Sequence, residues 1–148
     1  NIKKVFFNNI NAVSHSMMKD NWAIEDCVIR YENLLRTEIP RDTNNFPVID
    51  LIILGIGDDG HTASLFPGTK GLKESVKSVI KNWVPQINTY RITITYPILL
   101  NANEIILLAK GERKEKILKE IALGFGENYP IHKILKSNVN VTTILGIN

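Results

Sequence analysis

The chain has 148 residues and a formal net charge of +3; 44% are hydrophobic and 22% charged, with 9 Gly, 6 Pro and one Cys. That length suits one domain burying roughly 68–70% of its unfolded surface, and the composition excludes a disordered tail, a collagen-like fibre and a low-complexity linker. The charge is too small to argue for nucleic acid, but it is unevenly placed: residues 1–69 carry 6 Lys/Arg against 9 Asp/Glu, and residues 70–148 carry 12 against 6.

A basic second half suits an anionic small ligand, although solvated helix faces give the same count. No stretch approaches the ~18 apolar residues of a membrane span, and the longest candidate is broken by Asp50. Residues 1–4, Asn-Ile-Lys-Lys, lead into a mixed segment rather than an apolar run, so no secretory leader is expected there. The lone Cys27 excludes an intrachain disulfide and a cysteine-rich metal site. A cytoplasmic protein is the expectation.

In chain order, a helix is predicted over 2–13. A second is predicted over 23–39, where Ile24, Cys27, Val28, Tyr31, Leu34 and Leu35 form one apolar stripe. Pro40 and the polar residues 41–45 end it. Residues 48–54 are a nearly continuous apolar run, the pattern of a strand buried on both faces of a parallel sheet. Further strands are predicted over 75–83, 91–96, 105–109 and 139–145. A charged amphipathic helix over 112–123 is stopped by Gly124 and Gly126. No repeat or linker divides the chain, and the alternation of strand and helix predicts an α/β layered sheet.

The distinctive chemistry lies in residues 54–68, at the carboxyl end of a predicted buried strand, where open α/β sheets place their ligands. Gly55, Gly57 and Gly60 let the backbone turn tightly and approach a ligand. Their spacing is also that of a dinucleotide fingerprint. Asp58 and Asp59, however, fall where a pyrophosphate needs positive potential, so that reading is rejected. His61 is the candidate general acid/base, its ordinary pKa of about 6.5 lying near neutrality. Asp59 either orients His61 or caps a following helix. His15 and His132 lack such surroundings and read as solvated or hydrogen-bonded histidines. Asp58, Asp59 and His61 are too close in sequence to be an obvious metal set.

Residues 55–68, Gly-Ile-Gly-Asp-Asp-Gly-His-Thr-Ala-Ser-Leu-Phe-Pro-Gly, resemble the signature of the 6-phosphogluconolactonase family. The resemblance extends more weakly from Ile49 to the end. The strand from Arg91 to Pro97 is similar to the family's Arg-Ile-Thr stretch, and Gly111 to Lys114 to its Gly-x-x-Lys turn. It implies a three-layer α/β fold, a mainly parallel sheet with helices on both faces. It also implies cofactor-free hydrolysis of 6-phosphoglucono-δ-lactone in the oxidative pentose phosphate pathway, with His61 as general base and Arg91 and Lys114 holding the phosphate. Backbone N–H groups of the turn containing Gly55, Gly57 and Gly60 are candidate donors to the carbonyl oxygen. From the residues alone, Arg91 and Lys114 are equally ordinary surface charges, though a cation beside a helix N-terminus suits a docked phosphate.

The same superfamily contains glucosamine-6-phosphate isomerases/deaminases, in which a Glu follows the His by five residues. Here that position is Phe66, which has no proton to give. The lactonase reading is therefore preferred to an isomerase, with a non-catalytic phosphosugar-binding relative as a third reading. Family members are longer and carry an earlier glycine- and Ser/Thr-rich phosphate loop and an Asp-x-Arg motif, neither of which precedes Gly55. The expectation is one unit over 1–148, a partial domain forming the carboxyl-terminal part of such a fold. Its partners would be the sugar-phosphate lactone and either the missing amino-terminal half or a fused dehydrogenase domain, with no nucleic acid or membrane.

Overall fold

A computed structural model describes residues 11–146. In chain order its elements are helix α1 (Ile24–Glu38), strands β1 (Leu51–Gly55), β2 (Val79–Val84) and β3 (Thr89–Ile94), short helix α2 (Tyr96–Leu99), strand β4 (Glu104–Lys110), helices α3 (Glu112–Ala122) and α4 (Pro130–Leu135), and strand β5 (Asn140–Gly146). The helix expected over 2–13 lies outside the described residues except for 11–13, which have no regular structure.

Strand β4 lies between β1 and β5, parallel to both, with Ile52 opposite Ile105 and Ile105 opposite Val141. Both crossovers therefore step across the sheet in the same direction. Right-handed crossovers of that kind place their connections on one face. The core shows it: Ile52, Leu54, Ile105, Leu107 and Ala109 pack with Ile117 and Ile121 of α3, Ile131 and Ile134 of α4, and Leu35 of α1. Each fully buried Ile or Leu contributes about 1.5–3 kcal/mol relative to exposure.

The opposite face is bare among the described residues. Leu51, Ile53, Leu108 and Ile144 are 45%, 60%, 46% and 51% exposed. Strand β1 thus alternates buried and exposed, where its sequence predicts burial on both sides. The reason is topological: no described connection crosses the second face. These residues supply two of the three expected layers.

The predicted strand over 75–83 begins only at Val79, because the Glu74 carboxylate collects the N–H groups of Ser75, Val76 and Lys77 at 3.0, 2.8 and 3.0 Å and holds them in a turn. The next strand ends at Ile94 rather than 96. The Thr95 carbonyl accepts the N–H groups of Ile98 and Leu99, and Pro97 sits in the first turn of α2. Strands β2 and β3 form a separate antiparallel hairpin. Helices α2 and α4 have no counterpart in the sequence prediction. Helix α3 stops where anticipated, with Gly124 at φ +90° and the Phe125 N–H donating to the Glu120 carbonyl at 2.9 Å. Among the described residues no helix is long and apolar enough to cross a membrane.

Candidate active site

The chain leaves the carboxyl end of β1 in a turn that closes on itself. The Gly57 N–H donates to the His61 carbonyl at 2.9 Å and the Gly60 N–H to the Gly57 carbonyl at 3.0 Å. The buried Thr62 hydroxyl donates to the Gly55 carbonyl at 2.8 Å. Gly60 has φ +76° and is pressed against the Tyr129 ring, which a Cβ there would approach to 2.6 Å; no other residue fits that conformation and contact together. The Ile131 N–H, at the start of α4, reaches the Gly60 carbonyl at 3.0 Å. Ala63 is held at φ +50°, a left-handed conformation uncommon outside glycine that marks local strain.

His61 Nδ1 lies 2.6 Å from Asp59 Oδ1, and the His61 backbone N–H reaches the same oxygen at 3.1 Å. Partial burial pushes the Asp59 carboxyl up, yet the His61 N–H and imidazole outweigh it and hold the group below the ordinary carboxylate range. An ionised carboxylate only accepts hydrogen bonds, so Nδ1 carries the proton and Nε2 of the neutral ring keeps its lone pair. Among the described residues Nε2 meets no hydrogen-bond partner, and the side chain is 28% exposed. Of the two roles open to Asp59, the helix cap finds no helix: residues 61–69 are turns and single bridges.

The glycine N–H groups expected to face a ligand are not all available. Those of Gly57 and Gly60 are spent inside the turn. Among the described residues the Asp58 and Asp59 N–H groups, like that of Ile56, have no acceptor. Helix α3 reaches the same turn: the Lys114 ammonium is 3.7 Å from the Asp58 carboxylate, and Arg113 Nε donates to the Asp58 carbonyl at 2.8 Å. A cavity of about 620 Å³ opens here, lined by Asp58, Asp59, Pro67, Arg113, Lys116 and Tyr129 among others.

Arg91 is exposed on β3, opposite Asn82. It makes no hydrogen bond or ion pair among the described residues, but its hairpin is fastened to the turn. Asn82 Nδ2 donates to the Ser64 carbonyl at 2.9 Å and to Thr69 Oγ1 at 3.0 Å, while the Ser64 N–H donates to Thr93 Oγ1 at 3.0 Å. The structure thus gathers Gly55, Gly57, Asp59, Gly60, His61 and Lys114 about one turn and sets Arg91 on the adjoining hairpin. His15 is exposed, and His132 belongs to α4. Among the described residues no group of three or more His, Cys, Asp or Glu side chains is placed to hold a metal ion.

The profile of the family described as glucosamine-6-phosphate isomerases/6-phosphogluconolactonase matches residues 1–144. The chain belongs to that family. A 6-phosphogluconolactonase of Chlamydia muridarum (strain MoPn / Nigg) is 39% identical over 105 residues, 70% of this chain and 39% of that protein. One of Rattus norvegicus is 43% identical over 99 residues, 66% of this chain and 38% of its own length. The crystal structure of the devB protein superposes with a TM-score of 0.80 at 29% identity, covering 97% of this chain and 60% of its own. The chain thus matches well under half the length of these two named relatives.

Four further residues of the candidate site escaped the sequence reading, two of them within the family signature. Thr62 ties the turn to β1, and the Phe66 ring stacks on the His61 imidazole with centroids 3.8 Å apart and planes 19° from parallel. Arg113 lies inside the Gly-x-x-Lys segment and so carried a signal. Tyr129, which supports Gly60 and donates its hydroxyl to Glu120 at 2.9 Å, sits in a stretch without one.

Proposed function

We propose that the protein to which this chain belongs hydrolyses 6-phosphoglucono-δ-lactone to 6-phosphogluconate, as a carboxylic ester hydrolase of the oxidative pentose phosphate pathway. The observation that carries the reading is the Asp59–His61 pair on the glycine turn at the end of β1. His61 Nε2 takes a proton from water as the water oxygen bonds to the lactone carbonyl carbon, and the carbonyl π pair moves to its oxygen. The Asp58 and Asp59 N–H groups, which the turn leaves without an acceptor, are assigned to receive that oxyanion. Collapse re-forms the carbonyl and breaks the ring C–O bond, and the His61 imidazolium returns its proton to the departing alkoxide. Lys114 and Arg91 are assigned to the phosphate. Asp59 keeps Nδ1 protonated and never itself takes up the proton.

The chain represents the carboxyl-terminal portion of the catalytic domain in this reading, its bare sheet face covered by the amino-terminal portion. Buried, unpaired Cys27 supports a cytoplasmic setting. The test is a lactonase assay on the protein expressed from its complete reading frame. His61→Ala should lower kcat about 10²–10⁴-fold with an unchanged melting profile. Arg91→Ala should raise KM for the phosphorylated lactone far more than for unphosphorylated gluconolactone. Near-normal turnover by a folded His61→Ala variant would remove His61 from the mechanism, and phosphosugar binding without turnover would favour the non-catalytic reading.

A further inference from the structure

We propose that Phe66 is a positioning residue for the His61 base, and that it transmits the placement of the β2–β3 hairpin to the imidazole. This rests on the lactonase reading for its kinetic consequence, though not for its structural one. An imidazole tied only through Nδ1 can still rotate about that hydrogen bond, sweeping Nε2 through an arc. The stacked Phe66 ring, 3.8 Å away, covers one face of the imidazole and fixes the plane in which Nε2 points.

The Phe66 backbone is itself anchored. Its carbonyl accepts the Thr69 hydroxyl at 2.8 Å and the Thr69 N–H at 3.2 Å. Thr69 is buried and accepts Asn82 Nδ2 at 3.0 Å, so the ring is held from β2. On the other side of Phe66, the Ser64 carbonyl takes the same Asn82 amide and the Ser64 N–H is bound to Thr93 of β3. Arg91, assigned to the phosphate, faces Asn82 across the hairpin. One rigid piece therefore carries the phosphate cation and, through Phe66, the plane of the base. Substrate and base are brought into register by the same two strands.

The experiment compares wild type with Phe66→Leu, which keeps an apolar side chain but removes the aromatic face, and Phe66→Tyr, which keeps it. Side-chain NMR of His61 reads the ring directly. The wild type and Phe66→Tyr should show the Nδ1–H tautomer and imidazole C–H resonances shifted upfield by the stacked ring, and Phe66→Leu should keep the tautomer, which Asp59 sets, but lose the upfield shift. In the lactonase assay Phe66→Leu should lower kcat on the order of 10²-fold, the loss expected from about 1 Å of misplacement. KM should stay unchanged, with Phe66→Tyr restoring the rate. Unaltered His61 resonances and kcat in a folded Phe66→Leu variant would overturn the proposal, as would an equal loss in Phe66→Tyr. If the resonances respond as described while neither variant nor wild type turns over lactone, the positioning role stands and the lactonase reading falls.

Discussion

Replacing Gly57 by alanine should separate catalysis from stability. The added Cβ would sit 2.1 Å from His61 Nδ1 and 2.2 Å from Cε1. Ordinary van der Waals contact begins near 3.4 Å, so the two must part by about 1.3 Å. Gly57 does not occupy a left-handed conformation, and its backbone accepts alanine without strain. The part that yields is the imidazole, the partly exposed far end of a side chain, so the overpacking cost falls at or below the bottom of the usual ~1–3 kcal/mol range. Displacing the ring by that distance breaks the 2.6 Å bond to Asp59 and with it the aim of Nε2. The lactonase kcat of the Gly57→Ala protein should fall at least ~10²-fold, while the melting temperature drops by roughly 2–4 °C for each kcal/mol lost. Steady-state kinetics and calorimetry on the same preparation test this, with His61 side-chain NMR showing whether the ring has moved. Wild-type kcat in the alanine variant would refute the reasoning, because the clash leaves His61 no way to stay where the mechanism needs it.

Glu74→Gln should destabilise the fold by about 1–2 kcal/mol at neutral pH, because the ionised carboxylate holds three backbone N–H groups of the 75–77 turn. Those bonds keep the Glu74 carboxyl below its ordinary value, so its contribution is complete above the unfolded pKa of about 4.3 and is lost as pH falls through the depressed folded value; thermal melts from pH 7 downward should show the gap to Glu74→Gln closing, and a constant gap would contradict this. The isolated 148-residue chain should self-associate through Leu51, Ile53, Leu108 and Ile144. Ile53→Lys should then shift its size-exclusion mass toward the monomer, and a wild-type chain that is monomeric at ~100 μM would show the bare face to be harmless.

Local pattern carried much of the architecture. Apolar runs at β1, β4 and β5 located the parallel strands to within a few residues, because a strand's covalent period places its side chains whatever surrounds them. The stripe of α1 and the charged amphipathic face of α3 located those helices in the same way. The motif from Gly55 to Gly68 marked the candidate site, since glycines and a histidine in that order are a property of the chain itself.

Tertiary structure decided what the linear pattern could not. Whether Ile53 is buried depends on which layer crosses its face, and β1 reads identically in either case. The starting point of β2 was set by the Glu74 carboxylate competing for backbone N–H groups, an interaction with no periodic signature. Asp59 lies against His61 rather than at a helix start because no helix follows for it to cap. Phe66 reads in the sequence only as a missing acid, and its place on the imidazole arises because Asn82 and Thr93, from a hairpin distant in sequence, hold the segment around it. Tyr129 reaches Gly60 across some seventy residues, through the packing of α4 beneath the turn. Contacts between segments far apart in sequence depend on the whole fold at once, whereas periodicity and turn chemistry depend only on near neighbours.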